Sequence, residues 1–328
     1  MTKVFLVVGD IGGTNSRLGV VQKLGDLPRN IRRFRNAEHP NFARLLADYS
    51  AAIGITSIDG LCLAVAGVAS GGRVELTNHA WTIDQKELRQ ATGAHWVHFI
   101  NDLQALGLSL THGASPLSQH IAGPKPLSEF APRLVVGVGT GFNAALVTQS
   151  HASATCVVHA AECGHMTLAV ESEEELRLRD FLARGRGRAS NERALSGMGL
   201  VELYQWTARE AGRLPADLAA EEITQGAVAD TDPICRKAAS TLLRLLARTS
   251  GDLALAFMPT GGLYFAGSVA RALAPLMKSV GFHANFCAKG RQSGLMQTFP
   301  LLLMPDDNAA LLGCVVHAQG HHSLEPMT

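Results

Sequence analysis

The segment from residue 4 to residue 20 constrains the fold of this chain more than any other. An apolar run is followed by Asp10, then by a glycine pair with small polar residues, and a second apolar run begins near residue 18. This pattern predicts a strand, a tight turn and a second strand. Glycines let successive backbone N–H groups approach a bound anion, and Asp10 beside them is placed to hold Mg²⁺ through water. The alternative is an ordinary β-hairpin with a glycine-rich turn.

A second strand-turn-strand pattern, residues 134–147, repeats the first in the other half of the chain. Its turn, residues 139–141, formally begins a dinucleotide fingerprint, which requires a helix directly after the turn. Residues 144–149 instead lead toward the apolar and β-branched residues of 154–158. We therefore predict a phosphate-binding hairpin and reject nicotinamide binding. The sequence has no Gly-x-x-x-x-Gly-Lys-Ser/Thr motif, which excludes a P-loop enzyme.

An acidic residue follows the predicted strand 96–100 and precedes a predicted helix, 103–109. This residue, Asp102, with Asn101 before it, is expected at the carboxyl end of a strand, where open α/β sheets place their sites. A carboxylate there can accept a hydroxyl proton and orient an alcohol toward a phosphoryl group. The alternative that Asp102 only caps the helix stays open, because Asp is a favoured N-cap residue.

The tetrapeptide Glu162-Cys163-Gly164-His165 places an acid and an imidazole around a glycine. Such a pair can bind vicinal hydroxyls, because the carboxylate accepts O–H bonds and the imidazole donates or accepts. A loop histidine beside a solvated glutamate, or a metal ligand, remains an alternative. Glu192 lies at the start of a predicted helix and by itself indicates only a helix-start acid.

The amino-acid composition excludes several classes of protein. The chain has 328 residues, 47% hydrophobic and 17% charged, with a net charge of +1, as expected for one large or two moderate globular domains. The near-zero charge argues against nucleic acid as a partner. The six cysteines form no Cys-x-x-Cys pair, which argues against a zinc ribbon or a secreted disulfide scaffold. No signal-like or bilayer-length apolar run is visible, so we expect a cytoplasmic protein that does not enter a membrane.

Strands interleaved with helices in the first third predict an α/β domain with a mixed or parallel sheet. A proline-rich stretch suggests a domain boundary near residues 111–115, and the chain beyond residue 150 becomes more helical. Ser172 with Glu175 predicts a capping box that opens a helix ending near residue 185. A long helix is predicted for 234–258, and the final helix for 308–319.

Taken together, the motifs resemble bacterial glucokinases, the hexokinase-like branch of the actin-like ATPase superfamily. The matching segments, in the family's order, are Gly-Asp-Ile-Gly-Gly-Thr-Asn-Ser-Arg (9–17), Thr-Asn-His-Ala-Trp (77–81), Ile-Asn-Asp (100–102), Val-Gly-Thr-Gly (138–141), Glu-Cys-Gly-His (162–165), Asn-Glu-Arg-Ala-Leu-Ser-Gly (191–197) and Gly-Gly-Leu-Tyr-Phe-Ala-Gly (261–267). Each motif is weak alone, but the ordered set is specific and spans nearly the whole chain.

The resemblance implies a two-domain actin-like ATPase (ribonuclease H-like) fold of class α/β. A cleft would separate a small α/β domain, residues 1–112 plus 304–328, from a larger α+β domain, residues 113–303. It also implies an ATP-dependent kinase of the glucose 6-hydroxyl that uses Mg²⁺ and forms a homodimer. Asp102 would be the catalytic base. The residues implied at the sugar are Asn101, Asp102, Glu162, His165 and Glu192. Those implied at the nucleotide are Asp10, Gly12, Gly13, Thr14, Asn15, Gly139, Thr140, Gly141, Gly261 and Gly262, the last two bordering adenosine with the turn at 266–267.

Some residues depart from the family pattern. The segment 66–69 lacks a common proline, Ser268 replaces a glycine, and residues 305–313 differ from the usual Pro-Gly-Leu-Leu-Gly. These positions lie on the adenosine side and the small-domain surface. The alternatives are a kinase of mannose, fructose or an amino sugar, and a non-catalytic sugar-sensing module. The related repressor-and-sugar-kinase family carries a cysteine-rich zinc motif that is absent from this sequence.

Overall fold

A computed structural model describes residues 6–76, 79–111, 118–126, 128, 130–149, 156–304 and 308–322. Several predicted features lie outside the described residues: positions 4–5 and 154–155 of predicted strands, Thr77 and Asn78, the boundary at 112–115, and residues 305–307. The described chain forms two compact units. The first contains the described residues up to 111 with 156–158 and 308–322, and the second contains 118–149 and 159–304.

The chain forms fourteen strands and twelve α-helices within its described part. The strands are β1 Leu6–Ile11, β2 Asn15–Val21, β3 Arg29–Arg35, β4 Gly60–Val65, β5 Gly67–Ser70, β6 Arg73–Leu76, β7 Thr82–Asp84, β8 Trp96–Asn101, β9 Gln119–Ala122, β10 Arg133–Val138, β11 Phe142–Gln149, β12 Cys156–Ala160, β13 Leu263–Ala266 and β14 Leu301–Leu303. The helices are α1 Phe42–Ile53, α2 Gln85–Thr92, α3 Asp102–Ser109, α4 Glu173–Ala183, α5 Asn191–Ala194, α6 Gly197–Glu210, α7 Ala220–Val228, α8 Pro233–Phe257, α9 Ser268–Met277, α10 Phe282–Cys287, α11 Ser293–Met296 and α12 Ala309–His322.

The main sheet of the first unit has the strand order β3-β2-β1-β4-β8. β1 and β2 are antiparallel, as the strand-turn-strand pattern predicts, whereas β1, β4 and β8 run parallel. Since β4 is buried along its whole length, it reads as a continuous apolar run rather than an alternating one. A smaller antiparallel sheet, β5-β6-β7, follows β4 in the chain.

Two helices of the first unit begin where short polar side chains can cap them. The Asn41 side chain accepts a hydrogen bond from the backbone N–H of Arg44 at the start of α1. The Asp84 side chain accepts from the N–H groups of Lys86 and Glu87 at the start of α2. Both helices end at glycines in the left-handed conformation, where a Cβ would be strained.

Two apolar layers enclose this sheet. One face packs against α1, whose buried residues include Leu45 and Tyr49. The other face packs against α3 and α12, with Ile100 of β8 and Val315 of α12 in the same core. A Cβ on Gly313 of α12 would lie 1.7 Å from the carbonyl oxygen of Ala105 in α3. The two helices are therefore in backbone contact at this point.

The edge strand β3 carries four arginines and is almost wholly exposed. The sequence pattern did not indicate this strand, because it lacks the apolar alternation of a half-buried strand. It forms by antiparallel pairing with β2. Charged side chains on an exposed edge oppose pairing with another chain.

The second unit contains the sheet β12-β11-β10-β13-β14-β9, apart from residues 156–158 of β12, and most of the helices. β11 directly follows the 139–141 turn and pairs antiparallel with β10, so a strand and not a helix follows the fingerprint. The prediction of a hairpin at this turn is confirmed. The 25-residue helix α8 starts with an Asp232 cap and a proline, as helix N-termini favour, and its apolar face lies in the core.

The predicted capping box at Ser172 and Glu175 is only half correct. The Ser172 side chain accepts from the Glu175 N–H, but the Glu175 carboxylate accepts from the N–H of Glu171 and pairs with Arg248 of α8. Burial works to raise the pKa of Glu175, yet the hydrogen bond and charge of Arg248 prevail and leave the pKa below its ordinary value. A buried cation competes with local capping for this carboxylate.

None of the helices in the described part of the chain combines the length and apolar character that a membrane span requires.

Candidate active site

The turn after β1 is a tight backbone loop. The Gly12 N–H donates to the carbonyl of Asn15 at 3.1 Å, which turns the chain directly into β2. The buried side chain of Asn36 braces the turn, because its amide donates to the carbonyls of Gly12 and Gly13 at 2.8 and 3.0 Å. Its oxygen accepts from the Ser16 hydroxyl at 2.7 Å. We did not predict Asn36, since no local motif marks a residue that acts on a turn more than 20 positions earlier.

The carboxylate of Asp10 lies at the end of β1, immediately before this turn. Arg17 of β2, its register partner, donates from Nη1 to Asp10 Oδ2 at 2.9 Å. Both side chains keep about a fifth of their surface exposed, at 20% and 17%. The ion pair fixes the orientation of the carboxylate. A single exposed carboxylate suits Mg²⁺, which typically takes one or two protein carboxylates and completes its shell with water and phosphate oxygens.

The residues Asn101 and Asp102 lie on the same sheet edge as the first turn. Register pairs Ile11 with Val65 and Val65 with Asn101, so the carboxyl ends of β1, β4 and β8 coincide. With one strand between them, the ends of β1 and β8 are roughly 10 Å apart. The fold thus brings the glycine turn and Asp102 to one edge.

The helix cap at this edge is Asn101 and not Asp102. The Asn101 side-chain oxygen accepts from the N–H groups of Leu103 and Gln104, and the Gln104 side chain accepts from the Asn101 N–H. Asp102 is the first residue of α3, and its Oδ1 accepts from the Leu103 N–H at 2.8 Å. The alternative that Asp102 is present as the N-cap is therefore wrong, because its neighbour performs that role.

The second turn lies at the carboxyl end of β10. The Gly139 N–H donates to the Gly141 carbonyl at 3.0 Å, and the Gly139 carbonyl accepts from Gly197 at the start of α6. The parallel strand β13 ends at the same edge, where Gly267 adopts φ +99°. A Cβ on Gly267 would lie 2.3 Å from the Val138 carbonyl oxygen, so only glycine allows this approach.

The carboxylate of Glu192 lies directly against this second turn. Its Oε2 accepts from the Phe142 N–H at 3.1 Å, and a Cβ on Gly141 would be 2.6 Å from the same oxygen. Glu192 is held in the short helix α5, whose neighbour Asn191 donates to the Cys163 carbonyl at 3.0 Å. The sequence pattern indicated a helix-start acid, and the structure adds that it contacts the turn.

The acid and the imidazole of the 162–165 segment are both exposed. Glu162 Oε2 lies 4.0 Å from His165 Nε2, with side chains 79% and 70% exposed. Asn143 of β11 holds the segment, since its amide donates to Glu162 at 3.1 Å and its oxygen accepts from the Cys163 N–H at 3.0 Å. Gly164 is required here, because a Cβ would lie 2.1 Å from the Phe142 carbonyl oxygen. Asn143 is a further residue of this site that we did not predict.

The cysteine between Glu162 and His165 is a structural residue. Burial raises the pKa of Cys163 to about 11, so the sulfur is a protonated thiol at neutral pH. A protonated thiol is a poor nucleophile. The chemistry of this segment therefore belongs to its carboxylate and imidazole.

Gly261 and Gly262 lie at the amino end of β13, whereas the 266–267 turn lies at its carboxyl end. The length of β13 separates Gly262 from Ala266 by about 13 Å along the strand. Gly261 donates to the Pro132 carbonyl, and Gly262, at φ +111°, leaves no room for a Cβ beside Leu302. Both glycines are buried at the amino end of β13 and serve the packing of that sheet edge.

The chain carries two glycine turns, Asp102 and the carboxylates of Glu162 and Glu192. They follow one another in the order of the motifs given under Sequence analysis. A sequence model of the Glucokinase family matches residues 7–321. The chain belongs to the Glucokinase family.

Relatives in the Glucokinase family cover the chain nearly end to end. The glucokinase of Klebsiella pneumoniae subsp. pneumoniae is 33% identical over 317 residues, which is 97% of each chain. Among solved structures, a glucokinase from an Antarctic psychrotroph has a TM-score of 0.80 at 27% identity and covers 96% of this chain and 99% of its own. A ROK family glucokinase from Streptomyces griseus, in complex with glucose and AMPPNP, has a TM-score of 0.64 at 19% identity over 95% and 98%.

The likeness to solved glucokinases and ROK sugar kinases establishes the coarse fold, a mixed α/β protein of the actin-like ATPase type. In this glucokinase-family chain, each unit has one glycine turn at the carboxyl edge of its main sheet. Asp102 shares the edge of the first unit, Glu192 contacts the turn of the second, and Asn143 of β11 holds the segment with Glu162 and His165.

Proposed function

We propose that this member of the Glucokinase family transfers the γ-phosphoryl group of ATP to the 6-hydroxyl of D-glucose, with Asp102 as the general base. The observation that carries the proposal is the placement of Asp102 at the first position of α3, on the same sheet edge as the Gly12–Asn15 turn. A carboxylate beside a phosphate-type turn is what phosphoryl transfer to an alcohol requires. The family match and the curated glucokinase relatives support the substrate assignment.

The two compact units are the basis of a finer proposal for the fold. We take them as the small α/β domain, residues 1–112 plus 304–328, and the larger α+β domain, residues 113–303, of a ribonuclease H-like architecture with a cleft between them. Domain closure in such a protein excludes water, which competes with the sugar as phosphoryl acceptor. A cytoplasmic homodimer is part of the same expectation, and light scattering of the purified protein measures its mass.

The nucleotide phosphates are proposed to bind the N–H groups of both glycine turns. Gly12, Gly13, Thr14 and Asn15 form the first and Gly139, Thr140 and Gly141 the second. Hydrogen bonds from the Asn36 amide support the first turn, and the Glu192 carboxylate supports the second. Asp10 would hold Mg²⁺ through water, and the ion would neutralise charge on the phosphates. The Arg17 ion pair keeps the carboxylate in one orientation for that task.

The sugar hydroxyls are proposed to bind the side chains of Asn101, Glu162, His165 and Glu192. The Asn101 oxygen is committed to capping α3, so its amide group would act as the hydrogen-bond donor. The two carboxylates accept hydroxyl protons, and the imidazole of His165 donates or accepts according to its tautomer. These four side chains orient the ring and leave the 6-hydroxyl to Asp102.

In the reaction, the Asp102 carboxylate accepts the proton of the 6-hydroxyl while that oxygen attacks the γ-phosphorus. The bond from the γ-phosphorus to the bridging oxygen breaks, ADP leaves, and glucose 6-phosphate carries the phosphoryl group. Because phosphoryl transfer depends on positioning more than on covalent catalysis, the fixed first turn of α3 is the main contribution of Asp102.

A coupled assay with ATP, Mg²⁺ and a panel of hexoses tests the proposal. We expect glucose to give the highest kcat/KM among glucose, mannose, fructose and amino sugars. Absence of turnover with every hexose would favour the sugar-sensing alternative and refute the kinase assignment. Asp102→Asn is expected to lower kcat by on the order of 10²–10⁴-fold while glucose still binds. Asp84→Asn, which changes a helix cap in the same unit, is the matched control and should keep normal turnover.

A further inference from the structure

Three histidines of the first unit meet on the face of the sheet that carries α12. His98 lies in β8, and His317 and His321 lie one turn apart in α12. One ligand nitrogen from each ring can be chosen so that all three lie within 4.8 Å of one another. The ring centroids of the three pairs are 5.5, 5.0 and 4.4 Å apart. The nitrogens therefore converge on one point.

The fold positions this cluster from both sides. Side chains alternate along β8, so His98 shares its face with Ile100, which packs in the α12 core. The spacing of four between His317 and His321 places both rings on one face of α12. Gly313 of α12 is in backbone contact with Ala105 of α3, and α12 packs with β8 in one apolar core. Strand and helix are thus held together beside the three rings.

We propose that His98, His317 and His321 bind a divalent transition-metal ion, with Zn²⁺ the preferred occupant and water as a fourth ligand. Imidazole nitrogen is a ligand for Zn²⁺, and three histidines with one open position make a recognised tetrahedral zinc set. The hard cations Mg²⁺ and Ca²⁺ prefer oxygen ligands, so this site is chemically distinct from a Mg²⁺–nucleotide site. Small side-chain rotations would bring the nitrogens to the separation that a bound ion requires.

The exposure of the three rings suits a metal site. His321 is exposed and gives an ion access from solvent, whereas His98 and His317 are half-buried.

Two thiols lie on the elements that carry the cluster. Cys62 is the register partner of His98 on β4, and Cys314 precedes His317 by about one turn of α12. The two thiols share a hydrogen bond, and burial raises the pKa of Cys62 well above its ordinary value.

A bound ion would join the end of α12 to β8, three residues before Asn101 and four before Asp102. Because the unfolded chain does not hold the three rings together, metal binding stabilises the folded state by mass action. A bound ion would therefore restrain β8, the strand that ends beside the proposed catalytic base. This effect does not depend on which hexose is the substrate.

Equilibrium dialysis of the full-length, untagged protein against ZnCl₂, followed by metal analysis, tests the site. We expect one tightly held Zn²⁺ per chain, a rise in the thermal midpoint with ZnCl₂, and reversal with EDTA. CoCl₂ in place of ZnCl₂ should give the intense visible bands of a tetrahedral site. His321→Gln should abolish all three effects, and because His321 is exposed this variant should fold normally in EDTA.

Two matched variants make the result specific. His95→Gln changes a histidine whose side chain is 80% exposed and lies outside the cluster, so it should retain the ion. His283→Gln removes a histidine that lies 3.4 Å from the Cys287 sulfur and offers the competing thiol–imidazole site. Loss of the ion in His283→Gln but not in His321→Gln would overturn the proposal. Failure of the wild-type chain to retain Zn²⁺ at micromolar free metal would also overturn it.

Discussion

The carboxylate of Glu192 accepts a hydrogen bond from the backbone N–H of Phe142 at 3.1 Å. This one contact joins a proposed sugar ligand to the turn that is proposed to bind the nucleotide phosphates. Because Glu192 has both roles, removing only its charge should affect substrate binding differently from removing its whole side chain.

Replacing Glu192 with Gln separates its role in sugar binding from its role in supporting the turn. The Gln oxygen still accepts from Phe142, so the turn should keep its shape, while the charged acceptor for a hydroxyl is lost. We expect the KM for glucose to rise by about 10–100-fold, as for one hydrogen bond to a charged group, with the KM for ATP nearly unchanged. Glu192→Ala should raise both constants. Equal ATP constants in the two variants would mean that the Phe142 contact does not support the turn.

Replacing Asn36 with Ala should weaken the first turn. The side chain is fully buried and makes three hydrogen bonds, so its loss leaves the Gly12 and Gly13 carbonyls without these donors. We expect the free energy of unfolding to fall by about 2–4 kcal/mol and the KM for ATP to rise more than the KM for glucose. The control is Asn285→Ala, which removes an amide that also donates to two carbonyls but in α10. A rise in the KM for ATP in both variants would point to a general loss of stability instead.

The strand-turn-strand pairs and the placement of Asp102 could be predicted from the sequence because they depend on local apolar runs and on glycine. Asn36 could not, since its side-chain partners are 20 to 24 positions away and only the folded β2–β3 pair brings it beside the turn. At Glu175 the local sequence predicted a complete capping box, but the carboxylate pairs instead with Arg248, which lies 73 residues later. The position of Gly261 and Gly267 at opposite ends of β13 could not be predicted either, because a motif records neighbours in the chain and not the direction of the strand between them.

Replacing Gly313 with Ala should disturb α3 through α12. The new methyl group would overlap the Ala105 carbonyl, so one helix must shift, and overpacking of this kind costs about 1–3 kcal/mol. We expect a lower thermal midpoint together with a fall in kcat larger than the change in the KM for ATP, because Asp102 starts α3.

The matched control for this variant lies in the same helix. A methyl group on Gly320 would have nothing within 4 Å of it, so Gly320→Ala should be neutral or stabilising by up to about 1 kcal/mol. A loss of stability in Gly320→Ala as large as that in Gly313→Ala would show that α12 does not tolerate any added methyl group, and that the Ala105 contact is not the cause.

The low pKa of His317 predicts a pH dependence of stability. The unfolded chain takes up a proton on this ring below about pH 6.5, whereas the folded chain does so only below about pH 4. The free energy of unfolding should therefore fall as the pH drops from 6.5 to 4, with about one proton taken up on unfolding. The titratable groups shown in contact with the ring are His98 and His321.

Denaturant unfolding at several pH values in EDTA measures this dependence. His317→Gln should remove the part of the slope between pH 4 and 6.5, and His95→Gln should leave it in place. An unchanged slope in His317→Gln would assign the acid sensitivity to other groups.

The contact between α3 and α12 has a consequence for biosynthesis. The residue at the start of α3 leaves the ribosome about two hundred positions before the helix that braces it, residues 309–322. Chains are made from the N-terminus and domains tend to fold as units during synthesis, yet this unit cannot close until its last helix is available. The nascent protein must therefore keep the α12 part of one sheet face uncovered while the whole second unit is made, and Asp102 would gain its bracing helix only after that.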